Sequence, residues 1–91
     1  MSAVNNNETE KRFELEEEGE TAFVTYVMNG DTITFSHTIV PPEIEGRGVG
    51  SRLVRGALDA VREQDLRVVP QCSFVRGYIE HHPEYQDLVA S

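Results

Sequence analysis

A mixed α+β fold, with antiparallel and parallel strand pairs in one sheet and two main helices packed on it, is what this sequence of 91 residues predicts. Three observations carry the expectation. Two β-branched, aromatic runs flank Asn29-Gly30-Asp31, the strongest turn signal in the chain, because Asn-Gly tolerates the positive φ angles of a tight hairpin. Leu53, Val54, Ala57, Leu58 and Val61 recur at i, i+3, i+4 spacing and form one apolar helical stripe. A short apolar run, Arg67 to Val69, follows that stripe. The helical crossover makes this last strand parallel to the one before the helix.

Taken in order, residues 1–11 read as a polar, acidic and unstructured tail, with asparagines at 5, 6 and 7. One domain spans residues 12–91. Phe13 and Leu15 alternate with glutamates, as in a short strand with one wet face. Gly19-Glu20 makes a turn, and Thr21 to Met28 forms the next strand. Thr32 to Val40 returns from the hairpin with Ile33, Phe35, His37 and Ile39 on one face and Thr32, Thr34, Ser36 and Thr38 on the other. Pro41-Pro42 ends it, since proline cannot donate to a ladder. A glycine-rich loop leads into the helix near Gly48 to Ser51. Pro70 stops the last strand, Ser73 can cap a second helix through about His81, and Pro83 breaks that helix. Glu84 to Val89 adds a turn or two.

Sixteen acidic residues against eight basic ones give a net charge of −8, which argues against nucleic acid as a partner because phosphate contacts need a basic face. The balance suits a cationic partner such as an amine, or simply a solvated acidic surface. A single cysteine, Cys72, excludes an internal disulfide framework and a cysteine-only metal cage. His81 and His82 are adjacent and diverge on a helix, so no metal site is expected. With no long apolar stretch, and no basic flank or apolar block at the N-terminus, the chain reads as soluble and cytoplasmic, a monomer or weak homodimer.

Gly46, Gly48 and Gly50 sit between a strand and a helix. Glycine lets a ligand approach the backbone closely, and the first amides of a helix are unpaired and electropositive. Together they can cradle phosphate oxygens, or the loop can be a tight turn that uses glycine only for its φ angles. A P-loop is excluded because Gly50 is followed by Ser51-Arg52 without lysine, and a dinucleotide fingerprint is excluded by spacing.

The run Val40-Pro41-Pro42-Glu43-Ile44-Glu45-Gly46-Arg47-Gly48-Val49-Gly50 resembles motif A of the GNAT acetyltransferase superfamily, R/Q-x-x-G-x-G/A. Glu45 stands where that family usually carries Arg or Gln. His37 to Pro42, Val68 to Val75 and Tyr78-Ile79-x-x-His82-Pro83-Glu84-Tyr85 extend the likeness to the small YjdJ-type GNAT-like group. The resemblance covers about residues 12–89. It implies a minimal GNAT fold, with acetyl-coenzyme A as cofactor, its pyrophosphate on the loop amides and its thioester in a gap between the strand ending at Ile39-Val40 and the strand Arg67 to Pro70. Cofactor contacts then fall on Ile39, Val40, Glu45, Gly46, Arg47, Gly48, Val49, Gly50, Ser51 and Cys72, with Arg47, Arg52 and Arg76 as the cations near the phosphates.

Transfer of the acetyl group to a primary amine needs a base, an oxyanion donor and an acid for the departing thiolate. The Val40 amide is the oxyanion donor that the resemblance implies. A free imidazole changes charge near neutrality, so a histidine at position 37 can serve as the base, or His37 can be a packed core histidine. Cys72 precedes a helix start, which favours thiolate; it can act as nucleophile, line the thiol pocket, or be a small buried residue. Tyr78 lies near the family's acid position, or packs beside Phe74 and Ile79. A coenzyme A binding module without catalysis would carry the same loop.

Overall fold

The computed structural model describes residues 4–90, so residues 1–3 of the expected tail lie outside the described residues. Five strands form one mixed sheet in chain order. They are β1 (Asn5–Asn7), β2 (Arg12–Glu17), β3 (Glu20–Asn29), β4 (Thr32–Ile39) and β5 (Arg67–Pro70). Two helices, α1 (Val49–Glu63) and α2 (Ser73–Glu80), separate and follow β5. The pairs β1–β2, β2–β3 and β3–β4 are antiparallel, and β4–β5 is parallel, as the helical crossover requires.

The tail expectation is corrected in its middle. Asn5–Asn7 pairs with Arg12–Glu14 as an edge strand. Asparagine is a poor strand former, and side chains hold this strand instead. The Tyr26 hydroxyl donates to Asn6 Oδ1 at 2.7 Å, and Asn7 Nδ2 donates to Glu14 at 3.0 Å.

Two-residue turns set the register of the hairpins. Glu18 and Gly19 join β2 to β3 with φ of 51° and 81°, both positive as in a type I′ turn. Gly30-Asp31 joins β3 to β4, with positive φ only at Gly30, as in a type II′ turn. The expected Asn-Gly signal is therefore used one residue later, with Asn29 still paired to Thr32.

Both helices cover one face of the sheet. Phe13, Leu15, Ala22, Val24, Tyr26, Ile33, Phe35 and Val68 meet the α1 stripe of Leu53, Val54, Ala57, Leu58 and Val61 in a single core. Phe13, Tyr26 and Phe35 form an aromatic cluster across three strands, with ring centroids 5.5–6.4 Å apart. The opposite face is left to water, and there Arg12 lies over the Phe23 ring at 4.2 Å.

One feature of β4 overturns the simple alternation. Tyr26 faces Phe35, but Thr25 faces His37, so Ser36 is an extra residue in β4. A β-bulge of this kind shifts the face of every later residue by one. Phe35 points into the core. Beyond the bulge Thr38, opposite the buried Val24, takes the core side. His37 and Ile39 turn to the open face, where Ile39 is 48% exposed. The expectation that His37 and Ile39 share a face with Ile33 and Phe35 is thereby corrected.

The second helix starts one residue earlier than expected. Cys72 is its N-cap, with extended backbone, and Ser73 is the first helical residue. After His82, a 3-10 turn at Pro83–Leu88 brings Tyr85 and Leu88 into the core. The Tyr85 hydroxyl donates to Asp59 Oδ1 of α1 at 2.6 Å. Val89 then bridges β5 in parallel, with the Ala90 amide donating to the Val68 carbonyl at 2.8 Å. Among the described residues, no helix is long and apolar enough to cross a membrane.

Candidate active site

The ladder between β4 and β5 stops at Phe35 and Pro70. The Cys72 amide donates to the Phe35 carbonyl at 2.9 Å, and beyond that bond the two chains diverge: β4 runs on to Ile39 while Cys72 opens α2. The bulge at Ser36 sits at the same level and adds twist to β4. A parting of two parallel strands results, with the N-terminus of α1 at its mouth.

Beside this parting, a groove of about 510 Å³ lies between the end of β4, the glycine loop, the start of α1 and Phe74 of α2, within the usual size of a small-molecule site; no residue of β5 lines it. Of the ten cofactor contacts expected from sequence, eight line it: Ile39, Val40, Glu45, Gly46, Gly48, Val49, Gly50 and Ser51. Thr38, Ile44 and Phe74 complete the wall, and none of these three was among the expected residues. Ile44 is held by the 3-10 turn after Pro41 and is fully buried. An apolar residue inside an otherwise polar loop was the available signal for it. Nothing local marks Thr38, because its inward turn depends on the bulge.

Backbone supplies the polar side of the groove. Gly48, at φ 71°, is the N-cap of α1 and brings no side chain to the first-turn amides. The first helical bond runs from the Arg52 amide to the Gly48 carbonyl at 3.0 Å, so the amides of Val49, Gly50 and Ser51 precede any intrahelical partner. They carry the positive end of the helix dipole into the groove. Gly46, at φ 84°, turns the loop towards them. At Gly50 space is tight: a Cβ there would lie 2.7 Å from the tip of the Phe74 ring, so any side chain needs that half-exposed ring to move.

Arg47 and Cys72, the other two expected contacts, do not line the groove. Arg47 turns away to pair with Glu18, and Arg52 pairs with Glu17 at 3.2 Å. Cys72 is 8% exposed, and its Sγ lies 3.2 Å from Thr38 Oγ1, which itself faces the groove. Burial pushes this thiol up. The Thr38 hydroxyl and the amides of Val75 and Phe74 at the start of α2 outweigh it and bring the thiol below its ordinary value. Replacing Thr38 by valine removes one of those hydrogen bonds. Thiolate absorbance near 240 nm, followed against pH, is then expected to rise at a higher midpoint than in the wild type; an unmoved midpoint counts against the role of Thr38.

Two expected catalytic residues are not brought to this groove. His37 lies on the open face of the sheet, on the opposite side of β4 from Thr38. Tyr78 is half-buried on α2 and stacks on His82 with centroids 3.9 Å apart and planes 14° apart. His82 Nδ1 is 2.7 Å from the Tyr78 carbonyl. The pair borders a neighbouring hollow of about 340 Å³, beyond Phe74. Burial pushes the Tyr78 phenol up, so it holds its proton at neutral pH.

The open N-terminus of α1 after a glycine loop, close to the split between two parallel strands, presents unpaired amides of the kind that can receive an anionic group. The sequence matches the family model of the GCN5-related N-acetyltransferases over residues 12–88, and the chain belongs to that family. It is 35% identical over 57 residues to Protein NATD1 of Xenopus tropicalis, covering 63% of this chain and 52% of that protein. To Protein NATD1 of Homo sapiens it is 36% identical over 56 residues, covering 62% and 50%. The chain thus spans about half the length of the curated relatives it matches. In fold it is similar to a Staphylococcus aureus protein described as GCN5-like and solved by NMR in solution. That match has a TM-score of 0.73 and 28% identity, and covers 97% of this chain and 87% of the other.

Proposed function

We propose that this protein binds acetyl-coenzyme A in the groove between β4, α1 and α2 and transfers the acetyl group to a primary amine. The observation that carries the reading is the juxtaposition of uncapped α1 amides with the parting of β4 from β5, one serving a diphosphate and the other a thioester arm. When bound, acetyl-coenzyme A supplies a thioester carbon open to nucleophilic attack. The amides of Val49, Gly50 and Ser51 hold phosphate oxygens, and Arg47 and Arg52 flank them. The Val40 amide, at the end of β4, offers a donor for the developing oxyanion.

Two routes are open to this chain. In the covalent one, the Cys72 thiolate would attack the thioester carbon and carry the acetyl group as the bond to the leaving sulfur breaks and that sulfur takes a proton; the amine would then form its bond to the acetyl carbon, lose a proton to water and free the Cys72 thiolate. The Thr38 contact and the lowered thiol favour this route. In the direct one, the amine arrives from the open face of the sheet, where His37 or a water accepts its proton. Cytoplasm, where the cofactor and free amines meet, fits either route.

A second reading, binding without turnover, is favoured by one observation: His37 and Tyr78 both lie outside the groove. Mass spectrometry after exposure to acetyl-coenzyme A, together with thiol release over a panel of amines, separates the readings. Transfer through Cys72 is expected to add one acetyl group on that residue and none in Cys72→Ala. Thiol release with an unmodified Cys72 supports direct attack, and binding without release for every amine leaves the non-catalytic module.

A further inference from the structure

We propose that Glu17 and Glu18 are intramolecular competitors for the phosphate-binding arginines, and that they set how tightly the groove takes an anionic ligand. This rests on the coenzyme A reading above. Among the described residues, the two arginines beside the glycine loop are each held by a carboxylate from one and the same turn: Arg47 by Glu18, and Arg52 by Glu17 at 3.2 Å. The turn is fixed in the backbone. Glu17 is the last residue of β2, paired with Glu20, and Glu18 occupies the first position of the type I′ turn at φ 51°. The competing carboxylates therefore stand beside the loop by construction of the hairpin.

The consequence is an exchange. A ligand with several negative charges approaches a chain of net charge −8. It gains full use of Arg47 and Arg52 only by displacing Glu18 and Glu17. Ligands that offer a single charge cannot replace two carboxylates at once, so the turn discriminates for a diphosphate over a lone monoanion. Added salt weakens the internal pairs as well as the ligand contacts, so the wild type loses affinity with salt less steeply than a chain without the two glutamates.

Calorimetric titration of acetyl-coenzyme A at low salt tests this on four forms: the wild type, E17Q/E18Q, R47Q/R52Q and the combined quadruple variant. The charge control is E10Q/E63Q, which removes two exposed acids away from the loop. E17Q/E18Q is expected to bind about fivefold tighter than the wild type, the scale of two exposed ion pairs, and the control to stay within about twofold. In the R47Q/R52Q background the gain should shrink to that of the control. A gain no larger than the control's, or one that persists without the arginines, overturns the proposal. Absence of binding in every form is a different result and removes the coenzyme A reading along with it.

Discussion

Gly48→Val is expected to weaken acetyl-coenzyme A binding by at least about a hundredfold while the sheet stays intact. Gly48 caps α1 at φ 71°, in the left-handed region, and valine there is strained by roughly 1–2 kcal/mol. The loop relieves the strain by moving, and the first-turn amides then lose their aim. Hydrogen bonds from amides to charged groups are worth roughly 1.5–3 kcal/mol each, so losing one or two on top of the strain exceeds the ~2.7 kcal/mol of a hundredfold change. The Cβ itself meets no clash, because nothing lies within 4 Å of it at this position, so the cost comes from the backbone angle. Titration calorimetry reads the loss, and circular dichroism reads the fold. Affinity within about threefold of the wild type would mean that the loop amides are not the phosphate site.

Phe35→Ala is expected to give the largest loss of stability of any single truncation in the core, roughly 3–5 kcal/mol. Phe35 is wholly buried, packs on Phe13 and Tyr26, and stands at the last rung between β4 and β5. Its carbonyl receives the Cys72 amide, so the cavity opens directly under the point where the strands part. Domains of this kind are stable by about 5–15 kcal/mol, so the variant retains a marginal fold at best. Urea unfolding measures the change. A loss below about 1 kcal/mol would contradict the account of this core.

Much of this was legible because the signals are local. The α1 stripe, the proline that stops β5 and the glycine run each act within a few residues. The order of elements and the parallel β4–β5 pair follow from them by handedness and connection length. What was illegible depends on partners distant in sequence. Asn5–Asn7 has no strand signal of its own and is held by Tyr26 and Glu14. The bulge at Ser36 leaves no mark in an otherwise clean alternation, yet it sends His37 outward and brings Thr38 to Cys72. The place of the glycine loop was readable because its backbone angles are set by its own residues. The fate of Arg47 and Arg52 was not, since their partners come from a turn some thirty residues earlier in the chain.

On the proposed reading, main-chain amides at the start of α1 hold the ligand. Its most direct test is a titration of nitrogen-15-labelled protein with acetyl-coenzyme A, followed amide by amide. Gly46, Gly48, Val49, Gly50 and Ser51 are expected to shift first and furthest, with Val40 and Cys72 following. Shifts confined to the open face around Thr25 and His37, or none at millimolar ligand, would contradict it.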